Sequence, residues 1–423
     1  MKNFSQHLDL IMADLEAGQY EKGLKGLEEL ESVSKKEEER LEICNIYLLL
    51  GFVDKAKEIL KDLEQNSNYP IEINRLKAQV EYKEGNFDQA QELMHEVIEQ
   101  QVTEQDLVFM SQLYFDDGLP EVSLNYINKA LAINDREPFY YYQKGVYSFE
   151  LGNMEETIDC FSQALDLAPE ELLYQLALGE TYFQYGKFEE ALEQYDQVLE
   201  KSPNQEEALF LKGMLLIQIN QVEDGIFYLE KVAELQPENL DLLISLADAY
   251  KRNQRYENSL EILKKILNYD EFHLPALRRL GEIYLYHEDW EKAKETLDIA
   301  LSIDPEDYSL KLMYAKILKA YGDVQEAIKQ YEDIQEVAPF EGELCNNLGD
   351  LYLKSGEIEK AINCYEEYLK MESTYTVMNQ LAACYAELKN YSKALDVIKT
   401  SLEVNPNQES LVTIKDQLEG LLK

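Results

Sequence analysis

Histidine is scarce in this chain: His7, His95, His273 and His287 are the four present. His273 and His287 stand fourteen positions apart, near opposite ends of one predicted helix and too far along it to share a metal. There is no H-E-x-x-H, P-loop, G-x-S-x-G or dinucleotide fingerprint, and no nucleophile comes with a base and an orienting group. The 83 carboxylates do not fill that gap, because at such density acid pairs arise by chance on solvated helix faces. The expectation is a chain with no catalytic residues, no metal ligands and no cofactor. Five cysteines, an odd number without a C-x-x-C, read as free core thiols in a reducing compartment rather than as disulfides. No stretch approaches the ~20 apolar residues of a membrane span. Behind Met1–His7, Asp9, Asp14 and Glu16 interrupt any signal-peptide core, and Leu421-Leu422-Lys423 carries no lipidation motif. Taken together, these absences lead to the cytoplasm as the expected location.

Positive charge is the second shortage. Forty Lys and Arg against 83 Asp and Glu leave a formal charge of −43. Nucleic acid needs a basic footprint to offset its phosphates, so RNA and DNA are excluded as expected partners, and an anionic membrane surface is disfavoured on the same ground. A basic or mixed-charge protein or peptide is favoured, with association that weakens in salt. The acidity is uneven: residues 1–103 carry 22 acids and 12 bases, residues 104–239 carry 27 and 7, and residues 240–423 carry 34 and 21. Keeping a large helical array soluble is an alternative reason for it. Linkers are also missing. No Ser/Pro/Gly-rich or low-complexity run divides the 423 residues, and the longest loop-like stretch, Gln65–Pro70, fits an ordinary turn.

What the chain does have is a period. A small residue returns every 34 positions: Gly145, Gly179, Gly213, Ala247, Gly281, Ala315, Gly349. A second series keeps the register (Thr157, Ala191, Gly225, Ser259, Ala293, Ala327, Ala361), and a third closes each unit with Pro169, Pro203, Pro237, Pro305 and Pro339, Glu271 standing in once. Two antiparallel helices approach closely only where both carry small side chains. Between them Gly152-Asn153, Gly186-Lys187, Gly322-Asp323 and Gly356-Glu357 mark turns where glycine supplies a positive φ. The proline then stops the second helix.

This pattern resembles the tetratricopeptide repeat family. One unit reads Leu178-Gly179, Tyr182, Gly186, Phe188, Ala191, Tyr195, Pro203; another reads Leu280-Gly281, Tyr284, Trp290, Ala293, Ala300, Pro305; a third reads Leu348-Gly349, Tyr352, Gly356, Ala361, Tyr365. Extending the phase gives about twelve units, starting near 4, 37, 71, 104, 138, 172, 206, 240, 274, 308, 342 and 375. The resemblance implies an all-α, right-handed superhelical solenoid of about twelve antiparallel helix pairs. We expect less regular pairs over 1–137, a regular array over 138–408, and a capping helix over 409–423, where Leu411, Ile414, Leu418 and Leu421 keep helical spacing. The composition and repeat style look bacterial.

Family members line a concave face with their first helices. Carried over residue by residue, the resemblance places Val108, Phe115, Tyr142, Val146, Phe149, Leu176, Phe183, Phe210, Met214 and Ile217 on that face, interrupted by Gln112 and Glu180. Two readings stand for this apolar strip: a set of anchors for a partner segment, or secondary core covered by neighbouring helices. Further along, Lys251, Arg252, Arg278, Arg279, Lys316 and Lys319 gather on the same wall. They either capture an acidic segment or carboxylate, as some relatives do with a Lys/Arg and Asn clamp, or pair internally with Glu282 and the acidic second helices. Asn346 and Asn347 stand nearby, but the clamp's full order is not reproduced. The function expected is a non-enzymatic scaffold or adaptor that binds other cytoplasmic proteins or peptides. The alternatives are a peptide sensor that changes compaction to release a client, and a substrate-recruiting subunit of a separate enzyme.

Overall fold

The computed structural model describes residues 4–64, 67–337 and 342–422, and among them every regular element is a helix. Twelve pairs alternate a first and a second helix. The first helices are α1 Phe4–Glu16, α3 Glu37–Leu49, α5 Pro70–Lys83, α7 Glu104–Asp116, α9 Pro138–Glu150, α11 Leu172–Gln184, α13 Glu206–Gln218, α15 Leu240–Arg252, α17 Leu274–Tyr286, α19 Tyr308–Tyr321, α21 Gly342–Ser355 and α23 Tyr375–Glu387. Their partners are α2 Tyr20–Val33, α4 Val53–Leu63, α6 Phe87–Gln100, α8 Pro120–Ile133, α10 Met154–Leu167, α12 Phe188–Lys201, α14 Val222–Leu235, α16 Tyr256–Tyr269, α18 Trp290–Ile303, α20 Val324–Val337, α22 Ile358–Met371 and α24 Tyr391–Val404. A last helix, α25 Glu409–Leu421, packs on α24 and buries Leu411 and Leu418. The chain forms two compact units, Met1–Leu215 and Leu216–Lys423, which divide within α13.

The small residues act as close-approach points. A Cβ built on Gly145 would meet the Phe161 ring at 2.5 Å, and one on Gly349 would meet the Tyr365 ring at 2.5 Å. In both cases the occupant comes from sixteen positions later, on the second helix of the same pair. The second series is equally enclosed: Thr157, Ala191, Ala293, Ala327 and Ala361 are wholly buried, and the Ser259 hydroxyl, also buried, donates to the Ala247 carbonyl at 2.7 Å. Pro169, Pro203, Pro237 and Pro305 follow the ends of α10, α12, α14 and α18, as the sequence requires. Pro339 lies outside the described residues.

Each pair turns through one residue of positive φ. Eight of these are glycines, from Gly18 to Gly356, and the other four are Asn220, Gln254, Glu288 and Lys389, with φ of 68°, 60°, 57° and 61°. The period of the turn therefore runs through all twelve pairs. The glycine signal covers two thirds of them, because the backbone geometry is kept where the glycine is not.

Within the second unit, first-helix tyrosines brace successive pairs. Tyr250, Tyr352 and Tyr385 donate their hydroxyls to Glu230, Glu332 and Glu366 on the preceding second helix. Arg255, Lys360 and Lys393 lie over the same three rings at 4.8, 4.9 and 5.0 Å. Each ring is thus held by an acceptor at its tip and a cation on its face. The two histidines that flank α17 have a structural use: His273 caps its N-terminus, with Nδ1 accepting from the Ala276 N–H at 3.3 Å, and His287 is its C-cap.

Candidate interaction surface

Consecutive first helices face one another along one side of each unit, and polar pairs separated by about one repeat less one helical turn tie them together. Arg75 on α5 reaches Asp106 on α7 through two bonds of 2.8 and 2.9 Å. In the second unit Arg279 makes the same two-pronged contact with Asp248, at 2.7 Å for each bond. Lys319 contacts Asn347 at 2.7 Å and Asp350 at 2.9 Å. All three ion pairs are separated by 31 residues. On an α-helix a step back of three residues keeps the same face, so such a pair bridges neighbouring first helices one turn out of level.

This ladder absorbs most of the basic patch. Lys251 pairs with Glu282, Arg278 with Asp307 at the N-cap of α19, and Lys316 with Glu343 at 2.8 Å, alongside the Arg279 and Lys319 pairs. Arg252 is exposed and has no ion-pair partner among the described residues. The partners that neutralise the patch are on first helices or their caps, so it is the first-helix face itself that supplies the counter-charge. Two polar atoms there remain buried without a partner, Arg278 Nε and Asn346 Oδ1.

The apolar strip divides by exposure. Leu176 and Ile217 are buried within the helix packing, so neither is offered to a partner. Val108, Phe115, Tyr142, Val146, Phe183 and Phe210 are half-buried, and Phe149 and Met214 are each 36% exposed. Ring contacts connect the strip from helix to helix: Phe115 with Tyr147 at 4.8 Å, Tyr142 with Tyr174 at 5.4 Å, and Phe149 edge-on to Tyr185 at 6.1 Å. Such contacts fix ring orientation while leaving part of each face open. Ile217 falls in the second compact unit, and the remaining members fall in the first.

Two residues of this face, Tyr185 and Glu207, are absent from the sequence reading as site residues, and so is Tyr195, which belongs to the second helix α12. Tyr195 is wholly buried with its ring over Gly179, and its hydroxyl has no partner. Burial is the main reason its phenol is pushed up, and the carboxylates of Glu180 and Glu207 add to the effect. The same two carboxylates raise the Tyr142 phenol, after burial. The available signal was the spacing of sixteen from Gly179 to Tyr195, the spacing that also joins Gly349 to Tyr365. In that later pair the tyrosine hydroxyl does find an acceptor, Asp350 at 2.9 Å.

The face is a surface rather than a chamber. A cleft of about 490 Å³ between α1 and α2, lined by His7, Asp14, Lys22 and Glu29 among others, contains none of these residues. Among the described residues no His, Cys, Asp or Glu cluster is arranged to hold a metal, and no helix is long and apolar enough to cross a membrane. All five cysteines are free, and Cys364 is the one that is not fully buried. Burial pushes the Cys44, Cys160 and Cys364 thiols up to about 12, so at neutral pH none of the three is a thiolate nucleophile.

Family models match four overlapping or adjoining segments. Residues 150–202 match the YpiA-like tetratricopeptide repeats, residues 181–300 the N-terminal repeat region of Psidin, residues 278–341 a tetratricopeptide repeat, and residues 344–422 the fourth ARM domain of tetratricopeptide repeat protein 21. The chain is 28% identical to mouse tetratricopeptide repeat protein 21A over 106 residues, 24% of this chain and 8% of that protein. It is 33% identical to the uncharacterized protein ycf37 of Pyropia yezoensis over 101 residues, 23% of this chain and 57% of that one. The chain thus covers less than two thirds of the length of either relative. A tetratricopeptide repeat protein from Parabacteroides merdae superposes with a TM-score of 0.44 at 16% identity, over 59% of this chain and 98% of that one.

Proposed function

Since the chain belongs to the tetratricopeptide-repeat family, we propose that it acts as a non-enzymatic scaffold, binding a segment of another protein along the first helices α7, α9, α11 and α13. The fold is typical of protein–protein interaction scaffolds. The observation that carries the choice of face is the contrast between the basic stretch of the second unit and the apolar stretch of the first, each taken by itself. The basic stretch is largely neutralised by the inter-helix ladder, whereas Phe149, Phe183, Phe210 and Met214 keep open ring or thioether surface on helices already fixed in place. A partially open aromatic strip on a rigid support suits an anchor site, because little ordering of the protein opposes binding. The five unpaired thiols suit a reducing compartment such as the cytoplasm.

The test is a double substitution. Phe149→Ala with Phe183→Ala is expected to weaken binding of a captured partner by about 2–4 kcal/mol in total, with far-UV circular dichroism unchanged. Capture from a lysate of the source cells, with retention compared between the wild-type and doubly substituted chains, reads this directly. Equal retention of every partner by the two proteins would assign both rings to the core and remove the face from consideration.

A further inference from the structure

The cleft of about 490 Å³ on the first helix pair is lined by residues of α1 and α2 alone, and no other described residue lines it. Ile11 and Leu30, both buried, form its floor, while Leu10 and Val33 stand at its rim, 49% and 67% exposed. Gly26 lies among them on α2 and adds no side chain; a Cβ there would meet the Ile11 side chain at 3.0 Å. A repeat with no neighbour on one side stays single and soluble when that side is polar. After the last pair, α25 packs on α24 and buries Leu411 and Leu418. Among the described residues no helix does the same for this cleft, and its apolar floor and rim are left open.

The charges of the rim say what covers it. With His7 neutral, the cleft is lined by two acids, Asp14 and Glu29, and two lysines, Lys22 and Lys25, in a chain of 83 acids and 40 bases. Lys22 is held by Asp14 at 2.7 Å. Lys25 and Glu29 are both exposed, and neither has an ion-pair partner among the described residues. Such a rim is its own complement. Lys22, Gly26, Glu29 and Val33 follow one face of α2 at steps of four, three and four residues. When two copies of α2 cross antiparallel about Gly26, Glu29 of one copy comes level with Gly23 of the other, between Lys22 and Lys25, and the contact is reciprocal. We propose that this cleft is the seat of a two-fold dimer, in which a second copy of the chain covers it α2 against α2 and Lys25 of each copy pairs with Glu29 of the other. The inference is independent of the face on α7, α9, α11 and α13; a dimer carries that face twice and makes the scaffold bivalent.

The test is sedimentation equilibrium of the full chain from about 1 to about 100 µM, at about 0.15 M salt, where charges more than about 8 Å apart are largely screened. The wild-type chain is expected to pass from monomer to dimer and to stop there, because a two-fold contact closes on itself. Lys25→Glu alone and Glu29→Lys alone each set like charges at both reciprocal contacts, and each should raise the dissociation constant about tenfold or more. An equimolar mixture of the two variants should recover the dimer, since each copy then supplies the charge that the other lacks. A chain carrying both reversals should dimerise as the wild type does, and Val33→Asp should abolish the dimer. Unchanged far-UV circular dichroism separates loss of the dimer from loss of the fold. A wild-type chain that stays monomeric throughout overturns the proposal, as does one that grows beyond a dimer. A dimer that neither reversal weakens overturns it too, and so does a mixture of the two weakened variants that stays monomeric. Partner capture that is lost with Phe149→Ala and Phe183→Ala but kept by the monomeric variants leaves the face on α7–α13 standing in each of those cases.

Discussion

A single methyl group is the finest scale at which this architecture can be probed. The small residue of each first helix is required by what lies over it, and the firmness of that neighbour differs from pair to pair. At Gly349 the neighbour is the Tyr365 ring, held in place by its bond to Asp350. At Gly281 it is the end of the Leu297 side chain, 2.9 Å from the built Cβ, which can turn away. Alanine in a helix gains about 1 kcal/mol over glycine, while overfilling a tight contact costs about 1–3 kcal/mol. Gly349→Ala should therefore destabilise α21 and α22 by up to about 2 kcal/mol, and Gly281→Ala should be close to neutral. Hydrogen exchange of the amides in each helix pair measures both without assuming that the whole array unfolds at once. Equal protection changes at the two sites would show that the tyrosine ring yields as readily as the leucine.

At the scale of the element, the turn and the ladder make separate predictions. Glu288 holds a left-handed conformation that costs an ordinary L-residue roughly 1–2 kcal/mol, in a place where most pairs use glycine. Glu288→Gly should raise the stability of the α17–α18 pair by about 0.5–1 kcal/mol, and Asn220→Gly should give less, since asparagine tolerates this region. A loss at Glu288, read by exchange in the same pair, would mean that its side chain contributes more than its backbone costs. In the ladder, burial sets the size of the effect. Asp106 is nearly enclosed, with its side chain 5% exposed, and it accepts from Arg75 and from the backbone and hydroxyl of Thr103. Asp106→Ala leaves the largely covered Arg75 with the Gln101 carbonyl and, at 3.8 Å, Glu72, and opens a helix cap, so a loss of about 2–3 kcal/mol is expected. Arg279→Ala breaks a pair of similar geometry in which the aspartate side chain is 44% exposed, and less than about 1 kcal/mol should follow. The reverse order in thermal melts of the two variants would contradict the burial argument.

For the molecule as a whole, the thirty tyrosines set the behaviour at high pH. Burial, followed by a carboxylate acceptor or a nearby negative charge, pushes the Tyr82 and Tyr385 phenols up to about 12 from 10. Tyr147 rises to about 12 through burial, partly opposed by Ser111. A raised phenol favours the folded state while it stays protonated. Its contribution is complete below pH 10 and is lost as pH climbs through about 12. Alkaline titration should therefore show helix loss and tyrosinate absorbance rising together over that window. Tyrosinate absorbance completing near pH 10 with helicity intact would place these hydroxyls in water.

The period alone determined a great deal here: the number and order of helix pairs, the small residues between them and the proline stops were all legible, because each follows from contacts within one repeating unit. Turns at Asn220, Gln254, Glu288 and Lys389 were less visible, since the surrounding pairs impose a backbone shape that the residue type does not advertise. What only the tertiary structure decided is which first-helix residues stay open. Leu176 and Phe210 stand one 34-residue repeat apart at equivalent positions, but one is covered and the other half-open. The basic residues look like a patch until the neighbouring helix brings Asp248, Glu282, Glu343 and Asp350 to them. Tyr195 reads as ordinary core until its hydroxyl is found buried without an acceptor. Exposure and pairing are properties of adjacent repeats taken together. They depend on how each helix pair stacks on the next, and the pattern within a single repeat does not contain that information.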